Sequence, residues 1–137
     1  MNIILLLIAL ILICMIFSYT DIRTRRIPNK IIHPLLILIF VIRMFDIQFY
    51  FGLIPALIFT ILFFVNSNAI GAGDIKLIAL IGLVLGLENT LFVIMGMSIS
   101  AMLYLIFRLL KDRVNVKSIP LAPFLTFGVF CSVILLY

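Results

Sequence analysis

The chain has 137 residues, of which 66% are hydrophobic and only 11% are charged, and its formal net charge is +5. Soluble domains are typically about 45–50% apolar and about 25% charged. This composition therefore excludes a water-soluble globular protein and predicts one integral membrane domain over residues 1–137. The basic excess requires no nucleic-acid partner, because anionic lipid at the cytoplasmic membrane face is sufficient to explain it.

Long apolar runs predict an all-α membrane protein with about six transmembrane helices, since roughly 20 apolar residues cross a bilayer. A five-helix arrangement is the main alternative, and strands are disfavoured because the runs are continuous rather than alternating. The first run lacks the basic start and the cleavage site of a signal peptide, so we expect it to remain as a helix. The fourth run is short, and we expect it to be buried by its neighbours or partly re-entrant. In chain order, the predicted spans are residues 2–20, 30–46, 49–66, 74–88, 89–108 and 119–137.

The basic residues predict how these helices are oriented. Nine of the ten lysines and arginines lie in or beside the first, third and fifth connections, and Arg43 is the exception. Because connections rich in Lys and Arg stay in the cytoplasm, we expect the odd-numbered connections to be cytoplasmic. Both termini then face outward, and the expected location is the inner or plasma membrane.

Two acidic residues fall at the cytoplasmic membrane edge in this topology. Asp21 ends the first apolar run, and Asp74 closes the segment Gly71-Ala72-Gly73-Asp74. Ionisable groups at membrane depth are costly and usually mark a function. The two aspartates are 53 residues apart in sequence, so only tertiary packing can bring them together. The other acids are expected on the outer side or in a basic loop: Asp46, Glu88 and Asp112.

A close pair of carboxylates is suited to peptide hydrolysis. Two neighbouring aspartates share a proton, so that one activates water while the other polarises the scissile carbonyl. Gly71 and Gly73 permit a positive φ and a close approach of substrate to Asp74. Asp74 is expected to open a helix, where the helix dipole favours the ionised form, and Asp21 to close one, where the dipole favours the protonated form. This predicts Asp74 as the base and Asp21 as the acid. The arginines that follow Asp21 oppose this assignment, so the two roles stay open.

Other interpretations of these residues remain. In one alternative neither residue is catalytic: Asp74 is simply the N-cap of its helix, and Asp21 is an interfacial residue paired with an arginine. A small cation or proton transporter also holds acidic residues at membrane depth, and a non-catalytic membrane scaffold is a further alternative. The mid-helix positions are almost all aliphatic or aromatic, which disfavours transport. With one histidine, His33, and no cysteine cluster, we expect no metal site.

Three segments resemble a known family. Gly71-Ala72-Gly73-Asp74 resembles the GxGD motif of intramembrane aspartyl proteases. Residues 21–29, Asp-Ile-Arg-Thr-Arg-Arg-Ile-Pro-Asn, are similar to the region around the first catalytic aspartate of bacterial type IV prepilin peptidases. Residues 119–124, Ile-Pro-Leu-Ala-Pro-Phe, are similar to the proline-containing motif that opens the last helix of that family.

The resemblance implies that Asp21 and Asp74 are catalytic and that Gly71 and Gly73 are the motif glycines. It implies cleavage, on the cytoplasmic side, of the basic leader of a prepilin or pseudopilin precursor, with no metal or organic cofactor. Many members carry a further region with paired cysteines and also N-methylate the new terminus. This sequence resembles the short, peptidase-only form, so we expect cleavage without methylation. The substrate and the pilus, competence or secretion system that it serves stay open.

Overall fold

The computed structural model describes residues 3–24, 28–43, 46–66, 71–111 and 121–136. Across these ranges the chain is helical and contains no strand, which confirms the all-α fold class. The helices are α1 (Ile3–Thr24), α2 (Asn29–Ile42), α3 (Ile47–Tyr50), α4 (Leu53–Val65), α5 (Ala72–Lys111) and α6 (Ala122–Leu136).

The surface and length of these helices fit a membrane protein. Within the described ranges, three stretches are long and apolar enough to cross a bilayer: Ile4–Thr24, Ile47–Val65 and Ala72–Lys111. Two shorter apolar helices cover Lys30–Ile42 and Ala122–Leu135. Large apolar side chains are exposed on α1, α2, α4, α5 and α6, and so wide an apolar surface requires lipid rather than water as its surroundings. The number of spans and the side on which the termini lie stay predictions.

Helix α5 is divided at Gly86. Its φ of 79° and ψ of 178° interrupt an otherwise helical stretch of 40 residues, and glycine reaches this backbone region without a Cβ clash. Beyond the break, the Asn89 carbonyl accepts a hydrogen bond from Ser132 of α6, and the Tyr104 ring lies 5.5 Å from that of Phe124. The second half of α5 therefore runs antiparallel to α6. The break lies two residues before the predicted boundary between residues 74–88 and 89–108.

The first half of α5 lies at the centre of the bundle. Its backbone meets the turn before α4 so closely at Gly52 and Gly82 that neither residue has room for a Cβ. This burial agrees with the first of the two alternatives for the short fourth run, namely that its neighbours cover it. The buried residues in this half are Leu77, Ile78, Leu80, Ile81, Gly82, Leu83, Val84, Leu85 and Gly86.

Arg43 marks the end of the bundle away from Asp74. It forms an ion pair of 3.2 Å with Asp46, and its Nη2 donates to the Val84 carbonyl over 3.4 Å. Its guanidinium also lies 3.7 Å from the centre of the Phe49 ring. Ten residues of helix, about 15 Å at 1.5 Å per residue, separate Val84 from Asp74. The one basic residue predicted for the opposite side thus lies at the other end of the first half of α5, beside the break at Gly86.

Candidate carboxylate site

Asp21 lies in the last turn of α1 and is only 7% exposed. One turn earlier, Phe17 is fully buried and anchors this end of the helix in the core. The Asp21 Oδ2 accepts a hydrogen bond of 3.2 Å from the backbone N–H of Ala122, which is 101 residues further along the chain. The bond joins the end of α1 to the beginning of α6.

The beginning of α6 explains why an N–H group is available there. Leu121 acts as the N-cap, since its carbonyl accepts hydrogen bonds from Phe124 at 3.1 Å and Leu125 at 3.0 Å. The first N–H groups of a helix have no partner within the helix. Ala122 is the first helical residue, and the Asp21 carboxylate provides the acceptor that its N–H group would otherwise lack. Asp21 therefore lies at a helix N-terminus as well as near a helix C-terminus.

Asp74 is the third residue of α5. Gly71 acts as the N-cap, with its carbonyl accepting from the N–H of Asp74 at 3.1 Å and of Ile75 at 3.4 Å. The Asp74 carboxylate in turn accepts a hydrogen bond from the Gly71 backbone, which is the return half of a capping box. The alternative in which Asp74 is the N-cap is therefore wrong, because Gly71 is the N-cap and Asp74 lies three residues after it. Gly73 lies inside the first helical turn, so the positive φ that a glycine permits is not used there.

The fold brings Asp21 and Asp74 into one site. Their carboxyl groups are close enough for the two charges to interact, although they come from α1 and α5. This is the juxtaposition on which the predicted carboxylate pair depends. Its role in catalysis is part of the function proposed below.

The position of the two aspartates removes one argument drawn from the sequence. Helix ends favoured Asp74 as the base, because only Asp74 was placed at a helix N-terminus. In the structure both carboxylates accept a backbone N–H at a helix N-terminus, Asp74 from Gly71 and Asp21 from Ala122. At Asp21 the N-terminus of α6 now opposes the effect of the C-terminus of α1, so helix ends no longer assign the acid and the base.

Sequence reasoning missed the contribution of α6 to this site. The signal available was the proline-containing segment at residues 119–124, because proline is common at the start of a helix. Residues 119–120 of that segment lie outside the described part of the chain. The described part of the chain also leaves out Arg25, Arg26 and Asp112. Within the described ranges, no three His, Cys, Asp or Glu side chains form a group able to hold a metal ion.

These features define an all-helical membrane protein with two neighbouring carboxylates, Asp21 buried and Asp74 half-buried, at one end of its helices. A family model described as the type IV leader peptidase family matches residues 7–106, and the chain belongs to this family. The protein is therefore a peptidase of the leader-peptidase type. The match includes both Asp21 and Asp74 and ends before α6. Searches of curated proteins and of solved structures found no match.

Proposed function

We propose that this protein is a membrane aspartyl endopeptidase that removes the cytoplasmic leader peptide from prepilin-like or pseudopilin-like precursors. One observation carries the proposal: Asp21 and Asp74, distant in sequence, lie together at one end of the helices. Membership of the leader peptidase family supports the reaction class. The specific substrate class rests on the resemblance of residues 21–29 and 71–74 to prepilin peptidases.

The proposed reaction uses the two carboxyl groups in different protonation states. The ionised carboxylate takes a proton from water, whose oxygen attacks the scissile carbonyl carbon, while the protonated carboxyl donates a hydrogen bond to the carbonyl oxygen. Collapse of the tetrahedral intermediate breaks the C–N bond, and the carboxyl group that took the proton from water returns it to the leaving amine. The titration of such a pair belongs to both groups together. No metal or organic cofactor takes part in this scheme.

The proposed topology places the pair at the cytoplasmic membrane edge. Six spans with outward termini put Asp21, Asp74 and the start of α6 on the cytoplasmic side. Basic residues near this end of the bundle, such as Arg23 and Arg108, support that orientation through the positive-inside rule. A precursor with a cytoplasmic leader and an apolar helix in the bilayer presents its scissile bond at the same height. Helix packing within the membrane then holds the substrate.

A cleavage assay tests the proposal. The purified protein, in detergent or reconstituted in lipid vesicles, is mixed with a precursor peptide that has a short basic leader followed by an apolar helix. Mass spectrometry should show two products from a single cut at the junction. A matched peptide with the leader residues deleted serves as the control and should stay intact. A folded protein that leaves a panel of such precursors uncut would contradict the proposal.

A further inference from the structure

We propose that the first turn of α6 positions the Asp21 carboxylate for catalysis, with the backbone N–H of Ala122 as the positioning group. This inference rests on the proposed function. It assigns a role to a helix that lies outside the family match at residues 7–106. The observation behind it is the hydrogen bond of 3.2 Å from Ala122 to Asp21 Oδ2, whose acceptor residue is only 7% exposed.

The local sequence leaves one donor for Asp21 among the first three helical residues. Pro123 has no backbone N–H, and the N–H of Phe124 is directed at the Leu121 carbonyl over 3.1 Å. Ala122 is the remaining donor. The Ala-Pro pair at the start of α6 therefore presents a single N–H group to the carboxylate.

The donor is held in a fixed place by its surroundings. Ala122 is fully buried and Leu125 is 1% exposed. The Phe124 ring packs on Tyr104 of α5 with centroids 5.5 Å apart. The Thr126 hydroxyl donates to the Ala122 carbonyl over 2.6 Å. Packing from α5 thus fixes the first turn of α6, and that turn fixes one oxygen of Asp21.

The consequence for catalysis follows from the geometry of a carboxylate. Because Ala122 holds Oδ2, it fixes the orientation of the whole planar carboxylate relative to the site. A misplacement of about 1 Å in a reacting group can cost about 100-fold in rate. Losing this one N–H should therefore lower kcat by at least about tenfold, with little change in KM.

A backbone ester at position 122 tests the proposal without altering any side chain. Lactic acid in place of Ala122, introduced by nonsense suppression, replaces the N–H by an oxygen. The matched control is the leucic acid ester at Leu125, which removes an N–H bonded to Leu121 within the same helical turn. We expect the ester at 122 to lower kcat at least about tenfold at unchanged KM, and the ester at 125 to keep kcat within about threefold. Equal kcat values for the two folded esters would overturn the proposal.

A second pair of variants covers the case in which the ester proteins do not fold. Ala122→Pro removes the N–H at a position where proline suits the helix geometry, and Ala122→Val adds similar volume but keeps the donor. Loss of kcat in the proline variant alone supports the positioning role, whereas equal losses in both overturn it. Failure of the wild-type protein to cut any precursor would instead count against the proposed function itself.

Discussion

Replacing Gly71 by alanine is expected to disturb the candidate site while leaving the fold intact. Gly71 is exposed at the start of α5, so the added methyl group meets no packed core. A Cβ built on Gly71 would lie 2.8 Å from the Asp74 Oδ2 and 3.7 Å from its Cγ. The nearest atom is thus the carboxylate oxygen itself, and the clash is relieved by moving that oxygen.

The size of the effect follows from this distance. Ordinary contact begins at 3.4 Å, so the oxygen must move by about 0.6 Å. Since a misplacement of about 1 Å costs about 100-fold in rate, we expect kcat to fall by roughly tenfold. KM should stay the same, because the change affects the reacting group rather than the binding of the substrate helix. Replacing an N-cap glycine by alanine costs up to about 1 kcal/mol, so the free energy of unfolding falls only modestly.

The assay is steady-state cleavage of a precursor peptide, together with thermal unfolding of the same detergent-solubilised preparation. Ala72→Ser is the matched control, because Ala72 is the next residue, is also exposed, and should keep wild-type kcat. Wild-type kcat in a folded Gly71→Ala protein would refute the reasoning, since the Asp74 oxygen would then tolerate displacement. The reasoning would also be refuted if kcat fell only in proportion to the fraction of protein that is unfolded, because the folded molecules would then be fully active.

Three further predictions concern the fold. Gly82→Ala sets a Cβ against the backbone of Gly52 and should destabilise the protein by about 1–3 kcal/mol or more. Gly96→Ala is the control, because a Cβ there would lie 3.1 Å from its nearest neighbour atom, and it should lower the melting temperature less. A larger loss of stability in Gly96→Ala than in Gly82→Ala would contradict this prediction. Gly86→Ala forces a side chain into φ 79° and should cost about 1–3 kcal/mol, which a melt with unchanged midpoint would disprove. Arg43→Met keeps the length of the side chain but loses its hydrogen bond to the α5 carbonyl, so a loss of about 1–2 kcal/mol is expected and equal stability in chemical unfolding would argue against it.

The helices themselves were predictable from the sequence because each is a continuous apolar run. The predicted first run, residues 2–20, corresponds to α1 (Ile3–Thr24), and residues 49–66 correspond to α3 and α4 together. The boundary inside α5 was predicted within two residues of Gly86. That glycine lies in an apolar stretch with other glycines, and only its tertiary surroundings decide which of them takes the positive φ.

The candidate site was predictable only in part. Asp21 and Asp74 stand out because charged residues are rare in apolar surroundings, and the odd-numbered connections place both on one side. The bond from Ala122 to Asp21 joins residues 101 apart, and an alanine carries no signal of such a contact. The contact between Gly52 and Gly82 is likewise a property of packing, since each glycine alone is an ordinary turn or helix residue.

The most direct test of the central claim is cleavage of a leader-bearing precursor by Asp21→Asn and Asp74→Asn proteins beside wild type. Asparagine keeps the size of each side chain but removes the acid, and Asp46→Asn is the control at an acid far from the site. The account predicts that both site variants fold, bind the precursor with wild-type affinity and produce no detectable product, while Asp46→Asn cleaves normally. Full cleavage by a folded Asp21→Asn or Asp74→Asn protein would contradict it.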